Sequence, residues 1–105
     1  MPFPSAPALP LILAPMAGVS EAPFRQICRR FGADILMSEF LSSEAIRRQI
    51  RKTLEGAEFE ECERPIGIQI YGANPDAMAE AAALVTRHYR PEFIDINFGC
   101  PVKKV

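Results

Sequence analysis

Four short apolar runs constrain the fold more than anything else in this chain: Leu11–Ala14, Ile35–Met37, Pro65–Tyr71 and Phe93–Asn97. Each is too short for a helix and apolar almost throughout. That pattern belongs to strands buried on both faces, as in a parallel sheet covered by helices. The intervals between them carry helical periodicity. After the first run, Ser20 reads as an N-cap, with Glu21 and Pro23 in the first turn. Phe24, Ile27, Cys28 and Phe31 then make an apolar face, with Arg25, Arg29 and Arg30 largely off it and Gly32 as a left-handed cap. A second helix is expected from about Ser43, with Ile46, Ile50 and Leu54 inward. A third opens at Asn74-Pro75-Asp76, lines one face with Met78, Ala82, Val85 and Tyr89, and stops at Arg90-Pro91.

The order is β-α-β-α-β-α-β. No Gly-x-Gly-x-x-Gly turn or Walker-type loop follows any run, which argues against the nucleotide-binding α/β folds. A (β/α)8 barrel takes roughly 200 residues or more, and four strands are half of one. The fold class is therefore α/β, the N-terminal half of a (β/α)8 TIM barrel with parallel strands alternating with helices. Residues 1–10, with four prolines, read as a flexible arm. Residues 11–105 read as a partial barrel domain, truncated after the fourth strand.

A net charge of −1 argues against a chain that holds nucleic acid by charge alone. The charge is nonetheless segregated: Arg47, Arg48, Arg51 and Lys52 precede Glu55, Glu58, Glu60, Glu61 and Glu63. Cys28, Cys62 and Cys100 cannot all pair within one chain and show no Cys-x-x-Cys spacing, so free thiols in a reducing cytoplasm are expected, with no metal site. Leu9–Ala17 lacks the basic flank of a signal peptide and is broken by Pro10 and Pro15. No apolar run approaches the ~20 residues of a membrane span. Cys28 reads as core, Cys62 as a surface thiol and His88 as a surface histidine.

Chemistry collects where the strands end: Pro15 to Gly18, Ser38-Glu39, Gln69 and Gly72, then Asn97-Phe98-Gly99-Cys100-Pro101. Buried strands position rigidly and the loops after them expose reactive groups. Pro15 to Gly18 offers backbone amides unobstructed by bulk. Gln69 has two readings, an amide bridging two strands or one that reads an imide edge. Glu39 likewise reads as an active-site carboxylate or as a structural one that orients amides or pairs with an arginine.

Three blocks, Ala14-Pro15-Met16-Ala17-Gly18-Val19-Ser20 with Pro23-Phe24-Arg25, Gln69 before Gly72, and Asp95-Ile96-Asn97-Phe98-Gly99-Cys100-Pro101 with Lys104-Val105, resemble the tRNA-dihydrouridine synthase family, nearest its bacterial B-type members. The resemblance runs from about Leu11 to Val105. It implies an FMN-dependent reductase acting on tRNA uridines, recharged by NADPH. By this likeness Pro15, Met16 and Ala17 hold the flavin and Gln69 hydrogen-bonds its ring. Cys100 is the proton donor to uracil C5 while hydride reaches C6. Asn97 holds the extruded uracil, and Lys103 and Lys104 are placed for tRNA phosphates or simply for solvent.

Family members continue beyond this length with the second half barrel and a helical domain. The chain by itself is therefore expected to bind little FMN and to turn nothing over. Its open strand edge invites self-association. The competing readings are another FMN barrel, such as a dihydroorotate dehydrogenase or an ene-reductase, and a catalytically silent half barrel that pairs with a copy of itself.

Overall fold

The computed structural model describes residues 9–99. Three parallel strands, β1 (Leu36–Ser42), β2 (Ile66–Tyr71) and β3 (Phe93–Ile96), lie side by side in chain order. Helix α1 (Ala22–Arg30) precedes β1; α2 (Ser43–Arg47), α3 (Arg51–Glu55) and a 3-10 turn at Glu61–Glu63 lead to β2; α4 (Pro75–Tyr89) leads to β3. Parallel neighbours joined through helices are the arrangement of the N-terminal part of a (β/α)8 barrel. Of the expected arm, only Leu9 and Pro10 fall within the described residues.

The sheet has two unlike faces. Ile68 and Ile70 of β2 join Leu41, Ile46, Ala57, Ala81 and Val85 in the helix-side core, with Ile94 packed against it. Because successive residues of a strand point to opposite faces, Gly67, Gln69 and Tyr71 face the other way. There the Phe40 and Tyr71 rings meet at 4.9 Å between centroids, and the Phe93 ring fills the space a Cβ at Gly67 would need.

The first apolar run departs from expectation. Leu11–Ala14 is no buried strand but makes one parallel bridge, Ile12 to Ile35, supported by Leu13 N–H donating to the Ile35 carbonyl at 2.9 Å. Leu11 is 60% and Ile12 56% exposed. Pro10 and Pro15 remove the donors at either end, and among the described residues the run bridges only to Ile35, the residue just before β1. It still runs parallel to β1, so its following loop leaves toward the strands' C-terminal end.

Helix α1 also turns a different side inward. Arg25 is buried whereas Ile27 and Phe31 are exposed and Cys28 is only half-buried. The reason is a polar partner that periodicity does not see, Glu63, described below. The single helix expected from Ser43 is two. Gln49, at φ 56°, sits just past the end of α2, where its N–H donates to the Ile46 carbonyl and that of Ile50 to the Ala45 carbonyl. This is the Schellman pair of bonds. It ends α2 and leaves Ile50 48% exposed. The same pair closes α1 on Gly32, as expected, at φ 106°.

The N-terminal ends of the strands are pinned by charge. Arg29 donates to the carbonyls of Ala33, Asp34, Glu63 and Pro65. Glu92 accepts from the Ile66 amide and from Arg64. These bonds lie at the end of the sheet opposite the candidate site.

Candidate functional site

At the C-terminal end of β2 and β3 a polar row crosses the inner face of the sheet. Register pairs Gln69 with Asp95. Gln69 Nε2 donates to Asp95 Oδ2 at 2.6 Å, Asn97 Nδ2 donates to Gln69 Oε1 at 3.2 Å, and the Gly99 amide donates to Asn97 Oδ1 at 3.0 Å. Gln69 is buried and Asp95 and Asn97 are half-buried. Gln69 thus bridges the two strands, yet Nε2 keeps a second hydrogen and Oε1 a second lone pair. Strand bridging and ligand reading are compatible at this one residue.

A bulge in β1 helps to hold Gln69. Between paired positions, β1 advances from Met37 to Phe40 while β2 advances only from Gly67 to Gln69. The extra residue disturbs the ladder, and Ser38 Oγ takes up the Gln69 amide at 3.0 Å in place of a carbonyl. Beside it, Glu39 Oε1 is buried without a hydrogen-bond partner among the described residues. Neither the arginine pair nor the amide-orienting role anticipated for Glu39 is present there.

The loop after the first run stands across β1 from Gln69. Pro15 is half-buried, Met16 is 38% exposed and Ala17 is exposed. Ser20, anticipated as an N-cap, leaves that position to Glu21 and clamps the loop instead. Its hydroxyl accepts from the Met16 amide at 2.9 Å and donates to the Met16 carbonyl at 3.1 Å, while the amides of Val19 and Ser20 also donate to that carbonyl. Gly18, at φ 78°, makes the turn. Arg25 then ties the loop down. It donates from Nη1 to the Ser20 carbonyl at 2.9 Å, from Nη2 to the Glu58 carbonyl at 3.2 Å and from Nε to Glu63 Oε1 at 2.5 Å. Both partners of this ion pair are buried, at 3% and 0% exposure.

Gln69 and Asn97 are therefore brought into contact, while Pro15, Met16 and Ala17 form a separate, rigidly tied wall. Cys100 and Lys104 lie outside the described residues; Gly99, the residue before the thiol, is anchored to Asn97. Sequence reasoning missed Ser20, Ser38, Arg25 and Glu63 as supports. The available signal was the i,i+4 spacing of Arg25 and Arg29, which puts two cations on one stripe of α1.

The chain is similar to known proteins over most of its length. The family described as Dihydrouridine synthase (Dus) matches residues 12–105. The chain is 45% identical over 95 residues to a protein of Aquifex aeolicus named "Probable tRNA-dihydrouridine synthase", covering 90% of this chain and 30% of that one. It is 43% identical over 104 residues to tRNA-dihydrouridine synthase B of Xanthomonas campestris, covering 99% and 30%. A human protein named tRNA-dihydrouridine(47) synthase [NAD(P)(+)]-like is 37% identical over 95 residues, covering 90% and 15%. The chain spans about 30% of the length of the bacterial relatives it matches. With the family matched from Ile12 to the last residue, the chain belongs to the dihydrouridine synthase family.

Proposed function

We propose that this chain forms part of an enzyme that reduces uridine in tRNA to 5,6-dihydrouridine, with FMN as the bound redox group and NADPH as the reductant. The observation that carries the reading is the row from Gln69 through Asn97 to Gly99, the residue that precedes Cys100 in the sequence, in a chain of this family. The substrate is taken from the names of the relatives.

The residues present suit a flavin. Gln69 keeps a donor and an acceptor for the polar edge of a flat ring, and the Met16–Ser20 turn is fixed before anything binds. Pro15, Met16, Ala17 and Gln69 would hold that group, which supplies hydride to uracil C6. Cys100 delivers the proton to C5 from the other ring face, so that hydride and proton together saturate one C=C bond. A thiol with an unperturbed pKa near ~8.5 is mostly protonated at neutral pH and suits a donor. Asn97, with one amide proton unspent, orients the uracil, which must leave its stack to expose both faces. Lys104 meets tRNA phosphate. The setting is cytoplasmic; no helix among the described residues is long and apolar enough to cross a membrane.

The whole protein should purify yellow, with flavin absorbance, and should convert unmodified tRNA in the presence of NADPH. Cys100→Ala should lower dihydrouridine formation by at least ~10²-fold, the usual weight of a positioned general acid, with flavin content unchanged. A colourless protein, or full activity in Cys100→Ala, would reject the reading.

A further inference from the structure

The three hydrogen bonds of the polar row share one direction, and the direction has a source. An ionised carboxylate only accepts, so Asp95 requires the nitrogen of the Gln69 carboxamide toward it. That leaves Gln69 Oε1 toward β3, which requires a donor, and Asn97 supplies Nδ2. Asn97 Oδ1 is then left for the Gly99 amide, which can only donate. Turning either carboxamide over would set oxygen against oxygen at one join and N–H against N–H at the next. The two ends of the row, one acceptor and one donor, agree on a single arrangement.

We propose that Asp95 is a positioning residue whose charge fixes the amide orientation of Gln69 and, through Gln69, that of Asn97 and the Gly99 turn ahead of Cys100. The consequence for the site is specific. Orientation decides which unspent donor and acceptor each carboxamide shows to a bound ring or base, so the Asp95 carboxylate sets what both carboxamides can recognise. The significance for catalysis rests on the proposed function; the relay itself does not.

The test follows side-chain amide exchange by NMR in the nitrogen-15-labelled whole protein, with the backbone amide of Ile68 as internal reference. Asp95→Leu should speed exchange of the Gln69 amide protons about tenfold, as expected for loss of a bond to a charged group. It should also speed those of Asn97, which meets the carboxylate only through Gln69. The double variant Gln69→Glu/Asp95→Asn moves the anion one strand over while keeping every join complementary, and should return Asn97 exchange to the wild-type rate.

Unchanged Asn97 exchange in Asp95→Leu, with Ile68 still protected, would overturn the inference, as would fast Asn97 exchange in the double variant. Should Asp95→Leu fail to fold, the double variant alone decides. The readout needs neither flavin nor turnover, so a colourless or inactive wild type would sink the proposed function while leaving this inference to stand or fall separately.

Discussion

Arg25 shows how much one side chain can organise. Its guanidinium holds a buried carboxylate, the end of the Met16–Ser20 turn and the Glu58 carbonyl at once. Removing it strands Glu63 without its counter-charge in a site with no exposure. Breaking a buried pair from one side costs about 3–5 kcal/mol. Arg25→Ala should therefore lower the urea midpoint of the whole protein sharply, and Arg25→Lys should recover little because a single ammonium cannot reproduce the fork. A shift within error for Arg25→Ala would show that the pair is not formed. Tyr89 gives a second prediction. Burial, with a smaller contribution from Glu58, raises its pKa above the ordinary tyrosine value. The unfolded chain then loses this proton first as pH rises, so the contribution of Tyr89 to stability is complete below about pH 10 and declines as pH climbs through the folded-state pKa. Chemical denaturation between pH 9 and 11 should show this decline, and Tyr89→Phe should flatten it.

Among the elements, α2 ends on a glutamine where α1 ends on a glycine, with the same pair of closing bonds. A left-handed conformation costs an ordinary L-residue about 1–2 kcal/mol, part of which glycine returns as lost unfolded-chain constraint. Gln49→Gly should raise stability by about 0.5–1 kcal/mol, visible as a higher thermal midpoint; a lower midpoint would mean that the Gln49 side chain contributes something its backbone does not reveal. What the sequence disclosed follows the same division between local and distant causes. α4 was legible to its cap because Asn74, Pro75 and Asp76 act on their own turn, where Asn74 Oδ1 accepts from the amides of Asp76 and Ala77. β2 and β3 were legible as apolar runs. The inward side of α1 was not, because Glu63, which selects it, is 38 residues away from Arg25. Nor was the break at Gln49, where no glycine marks the turn. In the site, Gln69 and Asn97 stand out in the sequence as amides at strand ends, whereas nothing singles out Asp95. Its influence depends on register across two strands, which one-dimensional spacing does not carry.

For the molecule as a whole, the open side beyond β1 dominates. Leu11, Ile12, Ile27 and Phe31 are all more than half exposed, and the Leu11–Ala14 run has a backbone partner on one side only among the described residues. Unpaired edges and contiguous apolar surface promote association. The 105-residue chain expressed by itself should sediment as a concentration-dependent oligomer, and Ile12→Lys with Phe31→Glu should move it toward monomer in analytical ultracentrifugation. A wild-type monomer at all concentrations would refute this. One last feature bears on what the inner face can accommodate. Phe93 lies over Gly67, one pleat below Gln69. The aromatic ring acts as a stopper: it fills this face one pleat below the carboxamide, so that anything meeting Gln69 would do so from the rim of the sheet.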